Sequence, residues 1–101
     1  MSLKIEKSKT STLSAVDFEK LDFGKYHTDH MYVADYEMTT WNNRRIVPFQ
    51  NLSISPATAA LHYGQTVFEG FKAHKGQKGE VLLFRPEKHA ERMNKSLERM
   101  C

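Results

Sequence analysis

The sequence predicts an α/β chain of the α+β type, an antiparallel sheet with a flanking helix, on three observations. Apolar and polar residues alternate through "HMYVADY", the two-residue period of a strand with unlike faces. A glycine-bracketed turn, "KGQKG", separates the apolar segments "VFEGFKAH" and "EVLLFR", as in a hairpin. The final stretch, "RPEKHAERMNKSLERMC", changes to helical spacing. With 101 residues the chain can bury one small core but not two. Its 40% apolar and 27% charged content is near that of an ordinary soluble globular protein and gives no argument for a disordered or fibrous class.

Taken in order, residues 1–12 are polar and lysine-rich and read as a flexible arm, and residues 13–101 as the partial small domain. "LSAVDFEKLDFGKY" fits a short helical turn or an extended segment equally well. The first strand follows, with Met31 and Val33 alternating with His30, Tyr32, Ala34 and Tyr36. "TTWNNRR" has the Asn-Asn pair and polarity of a hairpin connection, and "RIVPF", closed by Pro48, suits a strand near a sheet edge. Ser55-Pro56 places a hydroxyl before a first-turn proline and can open a short helix.

In the last helix Ala90, Met93, Leu97, Met100 and Cys101 form one stripe, with Glu87, Glu91, Lys95 and Glu98 opposite. Pro86 stands where the first turn tolerates it, and Glu87 favours the positive end of the helix dipole. No glycine or proline stops this helix, so the expectation is that the sequence is cut from a longer one.

No apolar run has the length of a membrane span, and "MSLKIEKSKTST" lacks the apolar centre of a secretory signal, so the expected compartment is the cytoplasm. A single cysteine, Cys101, permits no intrachain disulfide. The formal charge is +3, concentrated only in the tail lysines Lys4, Lys7 and Lys9 and the turn lysines Lys72, Lys75 and Lys78. A solvated tail and turn is a simpler reading than nucleic-acid contact, and an anionic small ligand fits the balance as well.

Several residues could carry chemistry. His27, Asp29 and His30 have metal-ligand character, but in a strand side chains three apart point to opposite faces, which favours structural roles. Cys101 sits on an apolar stripe without a partner base and reads as a small core residue. "GQTVFEG" has the wrong glycine spacing for a nucleotide loop. Arg92 lies with His89 and Ser96 on the border of the helix's apolar stripe. A solvated edge arginine is the simpler reading there, and a bidentate clamp on a phosphate or carboxylate the sharper one. In "ALHYGQTVFEG", Tyr63 and Phe68 are carried on non-periodic backbone with Gly64 and Gly70. They read as core packing under a loop or as the wall of a ligand pocket.

"FGKYHTDHM", "FQNLSISPATAALHYGQTVFEGFKAH" and "LLFRPEKHAERMNKS" together resemble the N-terminal part of branched-chain amino acid aminotransferases of pyridoxal-phosphate fold type IV. The likeness runs from about Phe23 onward, and the phrases around "TDHM" and "QNLS" lean toward the same subgroup as the mammalian enzymes. The resemblance implies that the Arg92 guanidinium binds the phosphate of pyridoxal 5'-phosphate. It also implies that Tyr63 and Phe68 line the pocket for a branched aliphatic side chain, with Gly70 the small residue beside them. His27 falls where mammalian relatives have a phenylalanine of that pocket. An apolar wall suits such a substrate, because leucine, isoleucine and valine side chains offer only area and shape to recognise.

The resemblance further implies a lysine in a second domain that holds the cofactor as a Schiff base, and a glutamate there on the pyridine nitrogen. Neither can be placed within residues 1–101, so no catalytic residue is assigned here. The implied reaction of the whole enzyme moves the amino group of leucine, isoleucine or valine to 2-oxoglutarate, giving the branched-chain 2-keto acid and glutamate. A homodimer is implied as well, and no nucleic acid or membrane. Other enzymes of the fold type, a D-amino acid aminotransferase or an aminodeoxychorismate lyase, are the near alternatives, and a small RNA-binding or interaction module the distant one.

Overall fold

In a computed structural model that describes residues 2–100, the chain divides into two compact units, Met1–Ser53 and Ile54–Cys101. The content is α+β, as the periodicities predict: two small sheets and one long helix. The stripe position assigned to Cys101 lies outside the described residues.

The first unit is a three-stranded sheet of β1 (Lys4–Ile5), β2 (His30–Glu37) and β3 (Thr40–Pro48), in the order β1-β3-β2. β2 and β3 are antiparallel, whereas β1 runs parallel to β3 with Lys4 opposite Arg45 and Ile5 opposite Ile46. "RIVP" therefore belongs to the central strand of the sheet rather than an edge. Pro48, which has no N–H to give, lies past the residues that β1 covers and so interrupts no pairing there. Val47, 9% exposed, is the buried apolar residue of this unit.

The hairpin turn is not at the Asn-Asn pair. Glu37 pairs with Thr40, leaving Met38 and Thr39 as a two-residue turn with φ of 46° and 74°, the double positive φ of the type I′ geometry that matches strand twist. Asn42 and Asn43 lie inside β3 at a bulge, where the register moves from Val33 opposite Arg45 to Asp35 opposite Asn42. Asn43 adopts φ 48°, so its tolerance of left-handed backbone serves the bulge. Asp35 fastens it, accepting hydrogen bonds from Asn43 Nδ2 at 2.8 Å and Arg45 Nη1 at 3.0 Å. Tyr36 and Trp41, directly opposite, form a tilted aromatic pair 5.1 Å apart that supports the register.

The lysine-rich segment before β2 is tied down at further points. Ser8 N–H donates to His30 Nε2 at 2.8 Å, and Thr12 donates from N–H and Oγ1 to Asp29 Oδ1 at 2.8 and 2.9 Å. After it, Leu13–Ala15 makes one turn of 3-10 helix, the helical option of the two that the sequence leaves open.

In the second unit Ser55 starts a turn, its carbonyl accepting from Thr58 N–H and its hydroxyl from Ala57 N–H. Helix α1 then spans Ala59–Tyr63, and Gly64 ends it at φ 60°, the left-handed cap that favours glycine. β4 (Ala73–Lys75) and β5 (Val81–Leu83) form the expected hairpin, closed between Gly76 and Gly79. Its paired part is shorter than the apolar segments suggest, since residues 65–72 belong to no regular element. Helix α2 spans Pro86–Met100 with Glu87 in its first turn and Arg99 in its last. Met93 of the apolar stripe is half-buried, while Leu97 and Met100 are exposed.

A side chain with branching at Cβ is strained at Gly64, whereas asparagine is tolerated there. Gly64→Val is expected to destabilise the chain by about 1–2 kcal/mol and Gly64→Asn by much less. Urea midpoints with an unchanged slope measure both, and equal midpoints for the two variants contradict a left-handed cap.

Candidate functional site

The one long-range polar cluster of the second unit's described residues joins the irregular segment 65–72 to α2, and it is built on Glu69. Along this segment half-buried Val67 and Glu69 alternate with exposed Phe68 and Gly70, the two-residue period of extended backbone even though no partner strand pairs with it. Glu69 is thereby turned inward, its side chain 13% exposed, while Phe68 faces away at 92%.

The Glu69 carboxylate takes the Arg92 guanidinium side-on. Arg92 Nε donates to Oε2 at 2.5 Å and Nη2 donates to Oε1, a bidentate pair. Oε1 also accepts from Gly70 N–H at 2.9 Å and lies 3.2 Å from His89 Nδ1. The same nitrogen lies 3.4 Å from Arg92 Nη2, so His89 donates to Glu69 in the tautomer protonated at Nδ1 and accepts from Arg92 in the other. Phe71, tilted 5.1 Å from the His89 ring, packs the imidazole in place. Helical spacing explains the assembly, because His89 and Arg92 are three apart on one face of α2 and both reach one carboxylate.

The charges follow from these contacts. The Arg92 hydrogen bonds, with lesser help from His89 and Gly70, hold the Glu69 carboxyl down at about 2 against an ordinary 4.5. The same bonds push the Arg92 guanidinium above its usual value. Both groups are ionised throughout the physiological range. Arg92 nevertheless remains 65% exposed, and Nη1 makes no hydrogen bond among the described residues. Beside it lies an open cavity of about 240 Å³ lined by Phe84, Arg85, Lys88, His89 and Arg92. Of its three cations, Lys88 donates to Glu91 at 2.8 and 2.9 Å and Arg85 Nε lies 3.8 Å from Glu87, so the spare edge of Arg92 is the part of this set that best fits a small anion such as a phosphate group.

The remaining sequence candidates are placed as follows. Tyr63 closes α1, 84% exposed, with His62 edge-on at 6.4 Å. Neither Tyr63 nor Phe68 is packed into a core of this chain. Gly70 is exposed, and a Cβ there would meet nothing within 4 Å, so no packing inside this chain calls for its small size. His27 lies in the first unit, stacked on Phe49 at 4.6 Å and 9°. With Leu13, Val16, Phe18, Leu21 and Tyr26 it lines an apolar cleft of about 390 Å³. His30 and Asp29 are committed to Ser8 and Thr12, so the three residues of "HTDH" serve separate local roles. The structure therefore brings Arg92 together with Glu69, His89 and Gly70. Glu69 and the hydrogen-bonding part of His89 were not singled out from the sequence, since a carboxylate 23 positions away carries no local signal.

No helix among the described residues is long and apolar enough to cross a membrane. No protein-family model matches the chain. Individual relatives do. The chain is 52% identical over 86 residues to branched-chain-amino-acid aminotransferase 2 of Bacillus subtilis, a match covering 84% of this chain and 24% of that protein. It is 48% identical over 85 residues to branched-chain-amino-acid transaminase 1 of the same organism, covering 83% and 24%. To a probable branched-chain-amino-acid aminotransferase of Staphylococcus epidermidis it is 46% identical over 102 residues, covering 99% and 28%. The resemblance noted in the sequence holds over most of the chain, and the chain spans about a quarter of the length of these relatives.

Because the folded value of Glu69 is depressed, the stability it contributes is present above its ordinary 4.5 and is lost as pH falls through about 2. A carboxyl carbon titration followed by NMR is expected to show a Glu69 midpoint near 2, moving up toward 4.5 in Arg92→Gln. A midpoint near 4.5 in the unaltered chain means that the ion pair does not form in solution.

Proposed function

We propose that the polypeptide to which this chain contributes is a pyridoxal 5'-phosphate-dependent aminotransferase. It moves the amino group of leucine, isoleucine or valine to 2-oxoglutarate, yielding the branched-chain 2-keto acid and glutamate. The observation that carries this reading is the Arg92 guanidinium, held on one edge by Glu69 and free on the other beside a cation-lined cavity. The 46–52% identity to proteins named as branched-chain-amino-acid aminotransferases or transaminases supports it.

In this reading Arg92 binds the cofactor's phosphate, a dianion that a planar guanidinium meets with parallel N–H donors. The bound cofactor supplies the electron sink that makes the substrate's α-proton removable. The phosphate contact anchors one end of the cofactor, and its value lies in positioning rather than in proton transfer. Tyr63, Phe68 and Gly70 of the second unit contribute to the wall for the substrate side chain, and the resemblance alone assigns His27 of the first unit to substrate binding. The exposure of Tyr63 and Phe68 within this chain supports that role, since large rings outside any core of their own are available to enclose a ligand. The lysine that carries the cofactor is not assigned to any residue of this chain. A homodimer in the cytoplasm is the setting that goes with this reading.

Full-length polypeptide reconstituted with the cofactor is expected to form glutamate from 2-oxoglutarate with each branched-chain amino acid. A preference for acidic, aromatic or D-amino acids overturns the substrate assignment. The 101-residue chain by itself is expected to form none above a no-protein control. Arg92→Gln in the full-length protein is expected to weaken cofactor binding by roughly 10- to 150-fold, the loss of one charge-assisted contact. Absorbance titration of the apo form measures it, and unchanged affinity removes Arg92 from the cofactor site.

A further inference from the structure

We propose that Glu69 is a positioning residue for the cofactor's phosphate, gripping the Nε–Nη2 edge of Arg92 so that the Nη1 edge is presented to the anion. This rests on the reading of Arg92 as the phosphate anchor and adds to it a residue with the wrong sign of charge to bind phosphate itself.

The geometry sets the division of labour. A guanidinium carries five N–H donors in one plane, so it can serve two acceptors on two edges at once. Glu69 occupies Nε and Nη2, and Nη1 is left without a partner among the described residues. The carboxylate is itself fixed: Gly70 N–H holds Oε1 at 2.9 Å, and His89, packed by Phe71, approaches the same oxygen. An exposed arginine otherwise samples many rotamers and would have to be ordered at the moment of binding. Here that ordering is completed in advance by an acid from a neighbouring segment.

Charge and orientation make opposite demands, which renders the inference testable. A nearby carboxylate partly neutralises Arg92, so on charge alone its removal strengthens anion binding. If orientation dominates, removal weakens it. Glutamine at position 69 keeps the volume and one acceptor oxygen but turns an amide toward a guanidinium N–H, breaking one half of the bidentate pair. Aspartate keeps the charge and loses the reach.

The experiment measures dissociation constants of the full-length apo protein for pyridoxal 5'-phosphate and for pyridoxal, which lacks the phosphate. It is run on the unaltered protein, Glu69→Gln, Glu69→Asp, Arg92→Gln and the double variant Glu69→Gln/Arg92→Gln. Expected for both Glu69 variants is a loss of about tenfold in affinity for the phosphorylated ligand with pyridoxal unchanged. The double variant is expected to be no weaker than Arg92→Gln alone, because Glu69 acts through that arginine. Unchanged or tighter binding of pyridoxal 5'-phosphate in the Glu69 variants overturns the proposal, as does an additive double variant or an equal loss for pyridoxal. If Arg92→Gln weakens binding and the Glu69 variants do not, the phosphate anchor stands and the positioning role falls. If Arg92→Gln has no effect, both fall. Should Glu69→Gln fail to fold, Glu69→Asp decides by the same outcomes.

Discussion

The bidentate contact between Glu69 and Arg92 is the constraint on which the second unit's site depends. Ion pairs at protein surfaces contribute little to stability, because water competes and two long side chains must be ordered. This pair departs from that pattern at one end only. The arginine is exposed, but the carboxylate is turned inward and held by its neighbour's backbone N–H, so much of the ordering is local to residues 69 and 70. What the pair secures is the direction of a guanidinium and the course of an irregular segment. That segment has no ladder hydrogen bonds, and without Glu69 its backbone would have no polar tie to α2 among those described.

The same segment separates two kinds of chemistry by the simplest geometric device available to a chain. Extended backbone alternates its side chains, so Glu69 reaches the helix while Phe68 is carried to the opposite side. One residue step therefore divides an ionic contact from an apolar surface. Charged and apolar groups make opposite demands on water, so this separation keeps the ion pair off the ring's surface. Gly70 completes the arrangement, supplying an N–H to the carboxylate on its preceding residue and no side chain of its own.

How far the sequence carried the reading depends on whether each signal was local. The α2 helix was legible because its stripe, first-turn proline and acidic start agree with one another. The β4–β5 hairpin was legible because glycine marks its turn. The β2–β3 turn was misplaced for a physical reason: Asn suits left-handed backbone in a turn and in a bulge alike, and Met38-Thr39 carries no residue that announces positive φ. β1 was missed because a two-residue parallel pairing of Lys4 and Ile5 leaves no periodicity to read, and its support comes from Arg45 and Ile46 forty residues away. Arg92 could be named as a candidate from its place on a helix border. Its partner could not, since only folding brings position 69 to it.

In the first unit, His27 combines the shape of a flat aromatic ring with a different chemistry. Its imidazole stacks nearly parallel on Phe49, the packing an aromatic hydrocarbon ring would adopt, so the flat contact is maintained. Unlike a hydrocarbon ring, it carries two nitrogens that must meet water, a polar neighbour or a ligand atom. The cleft it borders is otherwise walled mainly by Leu13, Val16, Phe18, Leu21 and Tyr26, a lining that recognises by contour. A polar edge in such a wall costs little while it stays hydrated and becomes unfavourable when an apolar group drives the water off, unless that group brings an acceptor or donor of its own. Thr12, Thr28, Asp29 and His30 also line the cleft, but each is already hydrogen-bonded within the chain, whereas the His27 ring has no hydrogen-bond partner among the described residues, so its nitrogens are the lining's polar atoms left to a ligand.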